Sequence, residues 1–145
     1  MLKNYKELKV WQKAYQLCVE TYKVTRDFPK EEIYGLTSQI RTAAVSIPSN
    51  IAEGYGMKTT GEYIQALYIA YGSNFELETQ ILLAGDLGYL RAKSLERLQN
   101  EIGDIERMLK RLINSLKEKD SRSQPVRGQI EISEGNPRTL ESSNP

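Results

Sequence analysis

The feature that most constrains this chain is a row of apolar residues that recurs in alternating steps of three and four over residues 95–116. The row consists of Leu95, Leu98, Ile102, Ile105, Leu109, Leu112 and Leu116. These steps place all seven side chains on one side of an α-helix, as in the seam of a coiled coil. Such a helix is stabilised mainly by packing its apolar side against other helices, so the pattern predicts a helical bundle.

Three further segments have helical periodicity, and no segment alternates like a β-strand. The predicted helices span about 8–28, from 30 to about 51, and from 60 to 84. Short links between helices of this length favour an all-α fold, an antiparallel up-down four-helix bundle. From residue 120 onward the chain is rich in Ser, Pro, Gly and Asn and poor in large apolar residues, which is typical of disorder. We therefore predict a four-helix bundle domain at 1–119 and a disordered polar tail at 120–145.

The first predicted helix has a wider apolar surface than packing inside one bundle requires. One apolar row starts at Val10, and a neighbouring row consists of Leu8, Trp11, Tyr15, Cys18 and Tyr22. We expect Trp11, Tyr15 and Tyr22 of this second row to contact neighbouring helices or a second subunit. Stacking on nucleic-acid bases is a less favoured interpretation for tyrosines at helical spacing.

The stretch Ser46 to Gly56, SIPSNIAEGYG, places a proline inside the second helix. Pro48 cannot donate a hydrogen bond to the Ala44 carbonyl, so we expect a kink there. Gly54 and Gly56 then favour an exit from the helix. A phosphate-binding loop at GYGMKTTG is the functional alternative, but no strand precedes it and the residue order is not that of a P-loop.

The composition excludes most catalytic arrangements. The chain has no histidine, which removes the commonest metal ligand and the usual general base at neutral pH. We expect no enzymatic activity, no metal and no cofactor; Glu53, Glu76 and Glu78 form no recognisable acid–base pair. The single cysteine, the absence of a signal peptide and the absence of a long apolar run predict a cytoplasmic protein without a membrane partner.

The fourth predicted helix carries basic residues away from its leucine seam. Because the net charge is only +1, any nucleic-acid surface has to be local. We select Arg97, Arg107, Lys110 and Arg111 as candidate phosphate contacts. The alternative is a solvated helix face, since acidic residues are interspersed among these cations and pair with them at helical spacing.

A second group of charges lies beside apolar rows of the second and third helices. Arg41 follows Ile40, and Glu76 and Glu78 flank Leu77. An isolated buried charge is costly, so we predict a structural ion pair between Arg41 and Glu76 or Glu78 across the bundle.

The runs LTSQIRTAAVSIPSNIAEGYG and GEYIQALYIAYGSNFELETQILLA carry a family resemblance. They resemble the four-helix-bundle proteins encoded within intervening sequences of 23S ribosomal RNA genes, and are similar to the accessory variability determinant protein of diversity-generating retroelements. The resemblance covers roughly Tyr5 to Lys117. It implies a ring of five bundles without enzymatic activity and, for the retroelement relative, assembly with a reverse transcriptase and template RNA. Thr42 and Met57 stand where the family commonly has basic residues, which weakens nucleic-acid binding at those two positions.

Together these observations favour a non-catalytic homo-oligomeric scaffold, a pentamer by resemblance. Its expected partners are RNA or DNA, RNA being favoured, or a nucleoprotein enzyme such as a reverse transcriptase. The alternative is a structural or protein-binding oligomer with no nucleic-acid role.

Overall fold

The computed structural model describes residues 3–123, which form four α-helices and no β-strand. The helices are α1 (Lys9–Thr25), α2 (Leu36–Tyr55), α3 (Thr60–Asp86) and α4 (Ala92–Ser123). Two single turns of 3₁₀-helix, Tyr5–Glu7 and Lys30–Glu32, precede α1 and α2. The prediction of an all-α fold with four helices is confirmed.

Side-chain contacts between the helices show that consecutive helices run antiparallel. In α2 and α3 the hydroxyls of Ser46 and Ser73 lie 2.8 Å apart, while Gly54 further along α2 adjoins Ala66 earlier in α3. Tyr68, near the start of α3, lies beside Lys117, near the end of α4. Each helix packs against the next, and α4 also packs against α1. The result is an up-down-up-down bundle.

The core lies along the bundle axis and is almost entirely aliphatic. Its fully buried large side chains come from all four helices: Leu17, Ile40, Ile47, Ile51, Leu67, Leu77, Ile81, Leu98, Ile102, Ile105 and Leu109. Among these large, fully buried side chains one is polar: Asn74, which donates a hydrogen bond to the Ile102 carbonyl at 3.0 Å. A buried amide of this kind favours one register of α3 against α4.

The apolar seam of α4 is confirmed in its first part and changes position near its end. Leu98, Ile102, Ile105 and Leu109 are buried, but the next buried residue is Ile113, and Leu112 is only partly covered. A straight α-helix has 3.6 residues per turn, so a strict seven-residue repeat drifts by about 20° per heptad. The core-facing row therefore moves from position 112 to position 113.

The periodicity of α3 gives two apolar rows, and the structure buries them unequally. The row that contains Ala66, Ala70, Leu77, Ile81 and Ala84 is buried. The second row consists of Ile64, Leu67, Tyr71, Phe75 and Leu82. Leu67 is buried, but Phe75 and Leu82 are 40% and 42% exposed. At about 100° per residue these two side chains lie roughly 135–155° around the helix from the buried row, on its outer surface.

The second helix begins later than predicted. Residues 30–32 form a separate 3₁₀ turn, and α2 starts at Leu36 after the exposed Ile33 and Tyr34. Glu32 occupies the start of α2, where one carboxylate oxygen accepts from the Leu36 amide (3.0 Å) and the other accepts from the Tyr89 hydroxyl (2.9 Å). This acceptor satisfies one of the free amides of the helix N-terminus.

The helix α2 continues through Pro48, which is itself buried, and ends at Tyr55. The bend at Pro48 stays a prediction. Beyond it, Gly54 allows a close approach of α2 to α3, because a Cβ at this position would lie 2.8 Å from Ala66 Cβ.

The start of α3 is as predicted. Thr59 caps the helix by accepting from the Glu62 amide at 3.1 Å, and Glu62 accepts in return from the Thr59 amide at 3.2 Å. These reciprocal bonds form a capping box.

The last helix extends past the predicted domain boundary. It ends at Ser123 rather than at residue 119, and the rest of the predicted tail, 124–145, lies outside the described residues. Over the part of the chain that is described, none of the helices combines the length and apolar character needed to cross a bilayer.

Candidate functional site

An open aromatic groove lies between α1 and α2. It has a volume of about 500 Å³ and its lining is mostly apolar. Its lining residues are Tyr5, Trp11, Tyr15, Cys18, Val19, Tyr22, Lys23, Arg26, Val45, Pro48, Ser49 and Ala52. We refer to this surface as the aromatic groove.

Three aromatic rings are arranged in sequence at one end of the aromatic groove. The rings of Tyr5 and Trp11 meet edge to face with centroids 5.2 Å apart, and Trp11 and Tyr15 stack at 5.0 Å. Tyr15 is nevertheless 48% exposed, and Tyr22 at the other end is 40% exposed. The structure thus brings the predicted contact residues Trp11, Tyr15 and Tyr22 onto one surface that their own chain leaves half uncovered.

Cys18 lines the aromatic groove and is half-buried. Burial raises the pKa of its thiol, because the apolar surroundings disfavour the charged thiolate. The thiolate is the reactive form, so this environment suits packing rather than nucleophilic chemistry.

The candidate phosphate contacts of α4 do not form one cluster. Arg97 faces α1, with its guanidinium 4.0 Å from the Glu20 carboxylate. Arg107 binds Asp104 one turn earlier on its own helix, at 2.7 Å. Lys110 and Arg111 are exposed, and neither forms an ion pair within residues 3–121. Arg107, Lys110 and Arg111 therefore share the outward side of α4, while Arg97 lies apart.

Acidic residues on the α1 side of α4 are neutralised by Lys13. Its ammonium lies 3.2 Å from both Glu101 and Asp104. Burial alone would lower the pKa of Lys13, but the hydrogen bonds and charges of the two carboxylates outweigh it and raise that pKa. Hydrogen bonds from Lys13 and then Arg107 lower the pKa of Asp104.

The predicted ion pair of Arg41 with Glu76 or Glu78 is wrong. Within the described residues Arg41 forms no ion pair; its Nε donates to the Thr25 hydroxyl at 2.9 Å, and its guanidinium lies 4.7 Å from the centre of the Tyr22 ring. The physical reason is the rotation of α2, which directs residue 41 towards α1 rather than towards α3.

The two glutamates lie elsewhere on α3. Glu76 is exposed and lines a small cleft between α2 and α3 together with Ser46 and Ser73. Glu78 is half-buried. Both carboxylates retain access to water and need no arginine partner.

The sequence interpretation missed the residues that surround Arg41. Arg26, Lys30 and Thr37 line a cleft with it at the corner between α1 and α2. No periodic signal in the sequence indicated that these residues meet, because they belong to the end of one helix, the link after it and the start of the next. No group of three or more Cys, Asp or Glu side chains that could hold a metal ion occurs within the described part of the chain.

Comparison with known proteins identifies the family. A solved structure from Bacteroides thetaiotaomicron, described as a protein with unknown function from the S23 ribosomal protein family, is similar to this chain with a TM-score of 0.68. The two are 23% identical, and the similarity covers 72% of this chain and 95% of the other, so it shows the fold alone. No curated protein matches the sequence. Residues 6–111 match the sequence profile of the 23S rRNA-intervening sequence proteins. The chain therefore belongs to the 23S rRNA-intervening sequence protein family.

Proposed function

We propose that this protein is a non-catalytic scaffold that self-associates into a ring and binds nucleic acid, RNA in particular. The observation that carries the proposal is the aromatic groove. Trp11, Tyr15 and Tyr22 form an apolar surface that a single chain leaves open to water. Covering such a surface is the main driving force for most protein association.

Exposed apolar side chains also occur outside the aromatic groove. On α3 these are Tyr68, Ile69, Phe75, Leu82 and Leu83. A chain with two different apolar surfaces can associate head to tail, and such contacts form a ring when the rotation closes. The resemblance to the family implies five copies. Pro48 lines the aromatic groove, and a bend of α2 there would shape the surface that a neighbouring copy meets.

The nucleic-acid part of the proposal depends on the outward side of α4. Lys110 and Arg111 are exposed cations that no carboxylate of the described residues neutralises. A ring repeats this pair in every copy, and several weak phosphate contacts on one assembly bind with high avidity. The partner in this proposal is RNA or DNA, alone or in complex with an enzyme such as a reverse transcriptase.

The absence of catalysis is also part of the proposal. The chain has no histidine to act as a base, and burial raises the pKa of its single thiol. No carboxylate pair of the described residues is placed with a nucleophile or an oxyanion site, so no reaction can be assigned to it.

The second candidate function is a protein-binding oligomer without a nucleic-acid role. The observation that favours it is the pairing of two α4 cations with acids, Arg97 with Glu20 and Arg107 with Asp104. These pairs reduce the positive field that a phosphate backbone would meet.

Electrophoretic shift with a structured RNA over a salt series separates the two candidates. We expect wild-type affinity to fall steeply between about 50 and 200 mM salt, because phosphate binding releases counterions. K110Q/R111Q should bind more weakly. The slope of its log binding constant against log salt concentration should be less steep by roughly 0.7–0.9 for each lost phosphate contact. K9Q/K58Q is the matched control, since it removes two lysines outside the proposed contacts. Absence of binding at low salt would leave the protein-binding oligomer as the function.

A further inference from the structure

A cleft with three basic side chains lies where α1 ends and α2 begins. It has a volume of about 410 Å³. Its lining residues are Thr25, Arg26, Phe28, Pro29, Lys30, Ile33, Thr37 and Arg41. We call it the Arg41 cleft. Three cations line it without a single carboxylate, in a chain whose net charge is only +1.

Arg41 is held in place before any ligand arrives. Its Nε donates to Thr25, which is itself buried, and its guanidinium lies against the Tyr22 ring. The two terminal nitrogens, Nη1 and Nη2, have no hydrogen-bond partner among residues 3–121. A guanidinium fixed in this way keeps its outer donors available for a planar or tetrahedral anion at a low cost in side-chain entropy.

A buried hydroxyl of the Arg41 cleft also lacks a partner. Thr37 is only 2% exposed, and its Oγ1 makes no hydrogen bond in the described structure. Thr37 and Arg41 both line the cleft. Buried polar atoms of native proteins are almost always paired, so the unpaired Thr37 hydroxyl and the unpaired Nη atoms of Arg41 together indicate a ligand that accepts hydrogen bonds. Thr37 belongs to the first turn of α2, where the helix dipole also favours negative charge.

The nearby acidic residues do not neutralise this cleft. Asp27, Glu31 and Glu32 belong to the same α1–α2 link but do not line it. The carboxylate of Glu32 already accepts from the Leu36 amide and the Tyr89 hydroxyl. The positive charge of the cleft is therefore uncompensated by its own lining.

We propose that the Arg41 cleft binds a phosphate group. Arg41 supplies the oriented donors, Arg26 and Lys30 neutralise the remaining charge, and Thr37 donates from the helix start. A phosphate dianion uses both the charge and the several donors of this lining. The phosphate can belong to a free monoester or to an RNA backbone. The proposal does not rest on the scaffold function, since the cleft lies within one chain and away from Lys110 and Arg111.

The test is a titration of inorganic phosphate followed by ³¹P line broadening, at constant ionic strength with chloride as reference. We expect saturable binding to the full-length wild type and to K9Q/K58Q. R26Q/K30Q removes the same number of charges from exposed positions of the cleft and should weaken binding about tenfold or more. R41K, which keeps the charge and loses the fork, should weaken it as well.

Further arms distinguish the source of the phosphate. Uridine monophosphate that binds as tightly as a single-stranded RNA oligonucleotide would indicate a free monoester, whereas tighter RNA binding that R26Q/K30Q weakens would indicate a backbone phosphate. Broadening that does not saturate, or that is equal in R26Q/K30Q and K9Q/K58Q, would overturn the proposal. RNA binding lost in K110Q/R111Q with phosphate binding intact would separate the two sites.

Discussion

Replacement of Tyr15 by alanine tests whether the aromatic groove is a contact surface. Tyr15 stacks on Trp11 with one face, and 48% of the residue is exposed. A tyrosine buries roughly 200 Å² when fully covered, so a partner that covers the exposed half would remove about 100 Å² from water. At about 25 cal/mol per Å², this area contributes about 2.5 kcal/mol at each contact.

The expected result for Y15A is therefore self-association weakened roughly 60-fold at each contact. The variant loses about 1 kcal/mol of stacking on Trp11 and about 2.5 kcal/mol from the half of Tyr15 that its own chain covers. It should still fold, because this sum is smaller than the roughly 5–15 kcal/mol by which native domains are stable. Sedimentation velocity over a concentration series measures the association, and far-ultraviolet circular dichroism checks the helices.

Y34A is the matched control for Y15A. Tyr34 is 95% exposed and lies in the link before α2, outside the aromatic groove. Its replacement should change neither association nor stability. If Y15A and Y34A both associate as tightly as the wild type, the aromatic groove is not a contact surface between copies.

Two further predictions concern the stability of the bundle. G54A should lower the free energy of unfolding by about 1–3 kcal/mol, because its Cβ would lie 2.8 Å from Ala66. In G72A the new Cβ meets no atom within 4 Å, so the higher helix propensity of alanine should raise stability by up to about 1 kcal/mol; urea unfolding compares the two, and equal effects would contradict the close packing of α2 on α3. D104N should be less stable than wild type at neutral pH, because hydrogen bonds from Lys13 and Arg107 lower the pKa of Asp104 in the folded state. Asp104 therefore contributes stability above its ordinary pKa of 3.8, and this contribution is lost as the pH falls through the lowered value. The difference in thermal midpoint between wild type and D104N should shrink in acid, and a difference independent of pH would contradict the ion pair.

The helices and the second apolar row of α1 were predictable from the sequence, because periodicity reports which residues share a side of a helix. The sequence predicts that Trp11, Tyr15 and Tyr22 contact neighbouring helices or a second subunit. Tyr15 and Tyr22 are exposed and Trp11 is half-buried against the core, while contact with a second subunit stays a prediction. A seven-residue repeat does not stay on one side of a straight helix, so the buried row of α4 reaches Ile113 instead of the predicted Leu112.

The Arg41 error has a different origin. Its neighbours Ile40 and Ala43 are buried. They would stay buried after a small rotation of α2 about its axis, so the apolar pattern is compatible with Arg41 facing either α1 or α3. Only the packing of the whole bundle decides between them. The Arg41 cleft was unpredictable for the same reason, because it needs a helix end, a link and a helix start brought together in space.

Sedimentation equilibrium of the unmodified full-length chain at micromolar concentration tests the central claim most directly. We expect an assembly several times heavier than the 16.6 kDa chain, five times if the ring follows the family resemblance. A mass of 16.6 kDa at every concentration would contradict it, because the aromatic groove would then remain open to water in the working protein.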